Sequence, residues 1–383
     1  MSFKRIVIIS STSLLEPVTR NRLLPFINIL LNKNIKVTLV CPRMDSLETT
    51  IPPGLDIKIA DISNKKPDGF VRRAIQELLD CASILTVANK EDANGFLVTI
   101  PSMFLAFLSP IFLRHKTRFI DVRDLPWEYL SDEKLLLRIS KKIFKKAFTL
   151  SINSYELVAA TNPTELAYID TIWNKGNKPF LVSNGIMRAQ FDKLSNVTLS
   201  NSCNTTVTYI GNIGIAQNLE TLIFAAQQLP DVSFKIVGSG IQLPKLQELV
   251  SSLQLNNVEL TGRIPWDEVS HYYDITTILY AQLAPSFSGA MPSKLYEYLA
   301  TGKYIIYGGR GQASEILSNF ENNELIQPCD VDALVKAIRN VRDHKHTELS
   351  LKNRELISNN YVRENTAKNF INAIEEFVTL KKP

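Results

Sequence analysis

The sequence predicts an α/β protein built from two tandem doubly wound domains. Three observations carry that expectation. Short β-branched runs alternate with helix-length segments from one end to the other. The series occurs twice, separated by an Asn- and Ser-rich break over 189–204. And 383 residues exceed one ordinary core while suiting two domains of about 180 residues each.

The first series opens at Lys4-Arg5 with the apolar run Ile6-Val7-Ile8-Ile9. That run stops at Ser10-Ser11-Thr12, too short for a secretion signal, and reads as a first buried strand over 5–10. Further strands are expected at 36–41, 56–60, 84–87, 118–122, 149–152 and 179–182. The second series places them at 206–209, 233–237, 258–260, 277–280, 304–307 and 324–326. Residues 95–113 carry no charge; with Pro101 and Pro110 inside, they read as a buried helix of the first domain rather than a membrane-dipping hairpin. Residues 363–380 carry Phe370, Ile371, Ile374 and Phe377 at helical spacing and read as a closing helix packing back toward the N-terminal domain. The expected boundaries are 1–185, 186–362 and 363–383.

Composition excludes several classes. Hydrophobic residues at 45% and charged residues at 21% are those of an ordinary globular chain, not of a disordered or collagen-like one. Cys41, Cys81, Cys203 and Cys329 form no C-x-x-C pair, which argues for reduced thiols rather than zinc or a disulfide framework. Residues 1–185 hold 25 Lys/Arg against 18 Asp/Glu, while 186–383 hold 18 against 20. The basic half points to an anionic partner. No interleaved basic and aromatic motif supports nucleic acid. Residues 135–148 concentrate the charge: 136, 139, 143 and 147 are apolar on one side, and 138, 141, 142, 145 and 146 are cationic. Such a helix can lie on an anionic membrane or pack on its own sheet with a solvated basic face.

The most informative stretch is 288–303. Gly289 permits close backbone approach, Pro292 suits a first helical turn, and Gly302 suits a C-terminal stop. Leu295, Tyr298 and Leu299 form an i, i+3, i+4 stripe. A loop entering a helix offers free amides and a positive dipole end to a phosphate, and Lys294 adds a charge there. Glu297, polar within an apolar helix, can accept from ribose hydroxyls. The alternative is a capped surface helix with solvated Lys and Glu.

The string P-S-K-L-Y-E-Y-L-A-T-G-K at 292–303 resembles the donor-binding segment of GT-B glycosyltransferases of family 4, the glycosyl transferases group 1, in particular bacterial surface-polysaccharide and O-antigen members. Four further segments resemble that family in its order: the hinge at 182–186, the glycine loop Gly211-Asn212-Ile213-Gly214, the turn Gly238-Ser239-Gly240, and the strand segment 257–265, which contains Arg263. The resemblance implies a GT-B fold, two Rossmann-like domains facing each other across a cleft. It implies transfer of a sugar, with retention and without a metal or cofactor, from a nucleotide diphosphate sugar, UDP-linked by default. The acceptor would be a polyprenyl-diphosphate-linked oligosaccharide in O-antigen or capsule synthesis. The protein would then be cytoplasmic and peripheral on the inner membrane face, held there through helix 135–148.

By the same resemblance, Gly211, Asn212, Gly214, Gly238, Arg263, Gly289, Ala290, Met291, Pro292 and Ser293 would bind the donor, with Lys294 and Glu297 catalytic. Two departures stand out. Gly289 occupies the place of the family's usual first glutamate, Asn212 stands where an arginine is usual, and Gln217 stands near the usual lysine. In the N-terminal half, Arg123-Asp124-Leu125-Pro126-Trp127 is similar to the subgroup's R-D-L-W-P. Arg123 or Asp124 would orient the sugar or the acceptor hydroxyl, or else pair to close a strand end. Ser11, Thr12 and Arg20, with Arg22, follow the first strand and would meet the acceptor, or else the two arginines are helix-start charges. Two other classes remain compatible: a sugar-nucleotide epimerase or hydrolase, and a non-catalytic binding subunit.

Overall fold

The computed structural model describes residues 3–42, 51–62, 67–125, 127, 134–199, 204–287, 291–344 and 348–380. The chain divides into two compact units, Met1–Asn184 with Arg363–Pro383, and Gly185–Val362.

Unit 1 begins with β1 (Arg5–Ser10), α1 (Pro17–Asn32), β2 (Lys36–Pro42) and β3 (Leu55–Ala60). It continues with α2 (Phe70–Asn89), β4 (Gly95–Ile100), α3 (Met103–Phe112), β5 (Arg118–Val122) and α4 (Leu135–Ile152). β6 (Leu157–Ala160), α5 (Pro163–Ile172) and β7 (Phe180–Leu181) complete its sheet. The strands run parallel in the order β3-β2-β1-β4-β5-β6-β7, so the order reverses between β1 and β4. β1 and β4 are buried almost throughout, as strands covered on both faces must be. One face packs on α2, α3 and α4 around Phe96, Val98, Trp127 and Phe148. The other packs on α1 and the last helix, whose Phe370 meets Phe26 and Phe180 edge-on or tilted.

Unit 2 holds α6 (Arg188–Leu194), β8 (Thr206–Ile210), α7 (Glu220–Gln228), β9 (Ser233–Val237), α8 (Leu243–Ser252) and β10 (Val258–Gly262). After these come α9 (Trp266–Ile275), β11 (Ile278–Gln282), α10 (Lys294–Thr301), β12 (Tyr304–Gly308), α11 (Gln312–Leu317) and β13 (Asn323–Ile326). Helices α12 (Val331–His344) and α13 (Leu351–Asn360) follow, and α14 (Arg363–Leu380) returns the chain to unit 1. The six strands are parallel in the order β10-β9-β8-β11-β12-β13, reversing between β8 and β11. Ile186 forms a lone parallel bridge with Val362 at the root of the unit.

Several expectations are corrected. Residues 84–87 and 149–152 are not strands but the ends of α2 and α4. Ile84, Leu85 and Ile152 lie on the buried edge of amphipathic helices, where tertiary packing overrides propensity. The uncharged stretch 95–113 is not one helix: it breaks at Pro101 into β4 and α3. Leu157–Ala160, unremarked in the sequence, is a central buried strand. The expected linker begins inside α6. Among the described residues, no helix is long and apolar enough to cross a membrane.

Candidate active site

The strand-order reversal of unit 2 is where loops diverge from the carboxyl ends of a parallel sheet and leave room for a ligand. Residues 211–218 leave β8 there, and residues 283–287 leave β11. A cavity of about 300 Å³ lies against both loops, touching Gly214 and Asn218 on one side and Ala284 and Phe287 on the other.

Glycines let two loops nest at this edge. Gly238, after β9, has φ +145°, and a Cβ on it would lie 1.8 Å from the Gly211 carbonyl oxygen. A Cβ on Gly240 would lie 2.2 Å from the Ile213 carbonyl oxygen. The contact is closed by Gly211 N–H to Val237 O and Ile213 N–H to Ser239 O, both at 2.9 Å. The 211–218 loop carries no cation. Asn212 is exposed, its carbonyl accepting from Tyr209 at 2.6 Å. Gln217 folds back so that its Oε1 accepts from Gly214 N–H at 3.1 Å.

α10 stands beside this loop because Tyr298 ties it there. The Tyr298 hydroxyl donates to Ile210 O at 3.0 Å and accepts from Ile210 N–H at 2.7 Å, one residue before Gly211. Gly302 at φ 72° ends the helix in the left-handed conformation. At its start, Ser293 makes no side-chain cap, so the first-turn amides are not closed by it. Lys294 and Glu297 share one face: Lys294 Nζ donates to Glu297 Oε1 at 2.9 Å and Oε2 at 2.8 Å. The buried Tyr273 hydroxyl, on α9, donates to Glu297 Oε2 at 3.2 Å. Desolvation and the neighbouring carboxylate hold the Tyr273 phenol well above its usual range, so it remains a donor to Glu297.

Among the donor-side expectations, Gly211, Asn212, Gly214 and Gly238 sit in the nested loops. Met291 and Pro292 are half-buried and Ser293 is exposed before α10, and Arg263 is exposed after β10. Gly289 and Ala290 lie outside the described residues. Sequence reasoning missed Tyr273, and counted Tyr298 only as part of an apolar stripe. It also missed Gln282, a buried amide whose Nε2 donates to Gln217 O at 3.1 Å, Asn218 O at 2.9 Å and Thr221 Oγ1 at 3.2 Å. Its Oε1 accepts from Tyr280 and from Cys329 N–H, both at 2.8 Å, so one side chain pins the loop to β11. A polar residue ending a buried strand was the available signal.

In unit 1, Ser11 and Thr12 leave β1, with Thr12 Oγ1 at 2.5 Å from Thr19 Oγ1. Arg20 is half-buried on α1. Arg22, expected at an acceptor phosphate, is instead buried: Nε donates to Asp121 Oδ2 at 2.9 Å, Nη2 binds Asp121 Oδ1, and Nη1 donates to Val182 O at 2.6 Å. Three of its five N–H donors are committed inside the fold, and at 3% exposure the guanidinium is closed to an outside phosphate. Arg123 and Asp124 are half-buried after β5, and burial lowers the Arg123 guanidinium from its usual range. Pro126 lies outside the described residues, while Trp127 is buried 5.0 Å from the Phe148 ring.

Two doubly wound parallel units, the second with a loop-and-helix pocket at its switch point, define a GT-B protein. Solved structures share the architecture over nearly the whole chain. A glycosyltransferase from Rickettsia africae ESF-5 aligns with TM-score 0.72 at 14% identity, covering 99% of both chains. A sucrose-phosphate synthase from Thermosynechococcus elongatus aligns at 0.68 and 16%, covering 98% of this chain and 99% of that one. Anabaena HepE, in complex with UDP and glucose, aligns at 0.64 and 16%, with the same coverage. Residues 190–363 match the family model of the glycosyl transferases group 1. It is 29% identical over 177 residues to WcaI of Escherichia coli (strain K12), named for a glycosyl transferase role in colanic acid biosynthesis. That match spans 44% of this chain and 42% of the relative, so it covers about two fifths of the curated protein's length.

Proposed function

We propose that the protein transfers a sugar from a nucleoside diphosphate, UDP by default, to a lipid-linked oligosaccharide in surface-polysaccharide synthesis. The reaction keeps the donor's anomeric configuration and draws its positive charge from the protein rather than a metal. The observation that carries this reading is the Tyr298 bond to Ile210, which holds the start of α10 and the Lys294–Glu297 pair beside the nested glycine loops.

As the bond from anomeric carbon to diphosphate stretches, negative charge grows on the leaving group. The positive dipole end of α10 and Lys294 offset that charge, and they are already oriented before the reaction. This substitution matters because Asn212 and Gln217 supply none. Glu297 orients Lys294 through both oxygens and retains lone pairs for ribose hydroxyls. The acceptor hydroxyl attacks the same face of the sugar, its proton passing to the departing diphosphate oxygen.

The family match and the WcaI relationship support the reading, as do relatives solved with UDP. For location, the reading places α4 on the inner leaflet. Leu136, Ile139 and Ile143, which could have packed on the sheet, are exposed at 54%, 47% and 59%, in a helix carrying Arg138, Lys141, Lys142, Lys145 and Lys146.

A thermal-shift screen of nucleoside diphosphates and their sugars, followed by transfer to lipid-linked acceptor with and without EDTA, tests the reading. Stabilisation by one nucleotide and EDTA-resistant transfer are expected. Rapid sugar release from donor alone at the rate seen with acceptor would point to a hydrolase. No stabilisation by any nucleotide sugar would leave a non-catalytic protein.

A further inference from the structure

Thr161, just past β6, and Glu165, in the first turn of α5, are both buried in unit 1. Thr161 Oγ1 lies 2.8 Å from the carbonyl oxygen of Arg123, just past β5, and 2.9 Å from Glu165 Oε2. A hydroxyl has one proton to give, and a carbonyl oxygen can only accept. When Thr161 donates to Arg123, its contact with Glu165 is a hydrogen bond only if the Glu165 carboxyl keeps its proton and donates it. All three groups are then satisfied in one direction, from carboxyl to hydroxyl to carbonyl. An ionised Glu165 leaves two acceptors competing for a single hydroxyl proton, and the charged oxygen is the stronger of them. The Arg123 carbonyl then loses this donor.

The surroundings favour the proton. Desolvation raises the Glu165 carboxyl to about 7, and Asp124, facing it from the segment after β5, adds to the rise. Thr161 and Asn162 oppose it by hydrogen bonding from the end of β6. From α4, Lys145 meets the same helix at the Tyr168 ring, 5.1 Å from its centroid. The Arg123 side chain lies in the fields of Asp121, Arg22, Asp124 and Glu16.

We infer that protonated Glu165 is a positioning residue, holding the Arg123 backbone through Thr161, and that its ionisation releases that backbone and slows sugar transfer. The relay itself stands on the three oxygens. Its effect on transfer rests on the function proposed above, in which Arg123 and Asp124 orient the sugar or the acceptor hydroxyl. The sign is fixed by the geometry: the hold is complete at low pH and is lost as Glu165 ionises.

NMR of the full chain, with isotope-labelled Glu carboxyl and Arg carbonyl carbons, reads the relay without activity. The resonance missing from Glu165→Gln should titrate near pH 7, and the Arg123 carbonyl should shift with the same midpoint. In Glu165→Gln, whose amide donates to Thr161 at every pH, the Arg123 shift should no longer titrate. Between about pH 6 and 8.5 the wild-type kcat should fall about tenfold or more, and Glu165→Gln should lose that limb. Thr161→Val should uncouple the Arg123 shift and abolish the limb while Glu165 still titrates, and Thr161→Ser, which keeps the hydroxyl, should restore both. The thermal shift given by nucleotides should stay level across the range, since that site lies in unit 2. A Glu165 titration in the ordinary glutamate range, an Arg123 shift indifferent to it, or a limb that survives Glu165→Gln would each overturn the inference. Absence of transfer at every pH would sink the transferase reading, while the two NMR titrations would still decide the relay.

Discussion

The Tyr298 hydroxyl satisfies both backbone polar groups of Ile210, accepting from its N–H at 2.7 Å and donating to its C=O at 3.0 Å. A strand end that would otherwise bury two orphan groups is closed by a residue on α10, and the helix is thereby registered to the glycine loop. Tyr298→Phe leaves both groups unpaired in a fully buried site and should cost about 1–3 kcal/mol. Chemical denaturation reads that loss. The stabilisation given by the nucleotide should shrink as well, which a purely distant packing defect would not cause.

Lys294 and Glu297 should matter for turnover more than for folding. Lys294→Ala and Glu297→Ala are each expected to lower kcat about 100-fold or more, the scale of removing a charge-stabilising group. Circular dichroism and melting should report a folded protein in both. Rates within a few-fold of wild type would remove these residues from the mechanism.

Two glycines with positive φ should respond differently to the same methyl group. Gly238→Ala places a Cβ 1.8 Å from the Gly211 carbonyl oxygen, so the nested loops must separate. The cost should reach several kcal/mol, with nucleotide binding lost. Gly262, at φ +72°, has no heavy atom within 4 Å of its Cβ position. Gly262→Ala should cost only about 1–2 kcal/mol of backbone strain and leave nucleotide binding intact.

Glu165 makes stability pH-dependent. Burial raises its carboxyl to about 7, with Asp124 adding to the rise and Thr161 and Asn162 opposing it. Between about pH 4.5 and 7 the folded state keeps a proton that the unfolded chain releases. Its favourable contribution is complete below that window and is lost as pH rises through it. Glu165→Gln should flatten this slope and exceed the wild type at pH 8 by ~1–3 kcal/mol. Urea unfolding at several pH values checks it, and parallel slopes in the two proteins would reject it.

The exposed stripe of α4 makes a surface prediction. Ile139→Ser and Ile143→Ser touch no core and should change stability by less than about 0.5 kcal/mol. The double variant should lose binding to vesicles containing phosphatidylglycerol, whereas the wild type binds them and ignores zwitterionic ones. Each lysine near the lipid is worth ~1 kcal/mol, so the wild-type binding should also fall with added salt. Sedimentation with vesicles measures both effects.

The doubly wound class was legible because buried parallel strands are written as short β-branched runs spaced by helix-length segments. The same signal misled at 84–87 and 149–152, where Ile84 and Ile152 serve the buried edge of a helix. It was silent at Leu157–Ala160, whose two alanines carry little β propensity yet lie fully buried between β5 and β7. In the site, the three-residue spacing of Lys294 and Glu297 already placed both on one helix face. That Tyr273 joins them from α9, 24 residues away, had no local signal.

Local periodicity, the helix stop at Gly302 and the charge distribution are properties of neighbouring residues, and the sequence alone determined them. Contacts between distant segments were decided only in the folded chain: Arg22 turned inward onto Asp121, Tyr298 locked onto Ile210, and the apolar stripe of α4 turned outward. The physical reason is that a side chain's partner depends on which strands lie adjacent, and adjacency in a parallel sheet is set by crossovers of dozens of residues. Spacing along the chain carries the period of an element; it does not carry which face of that element meets the core.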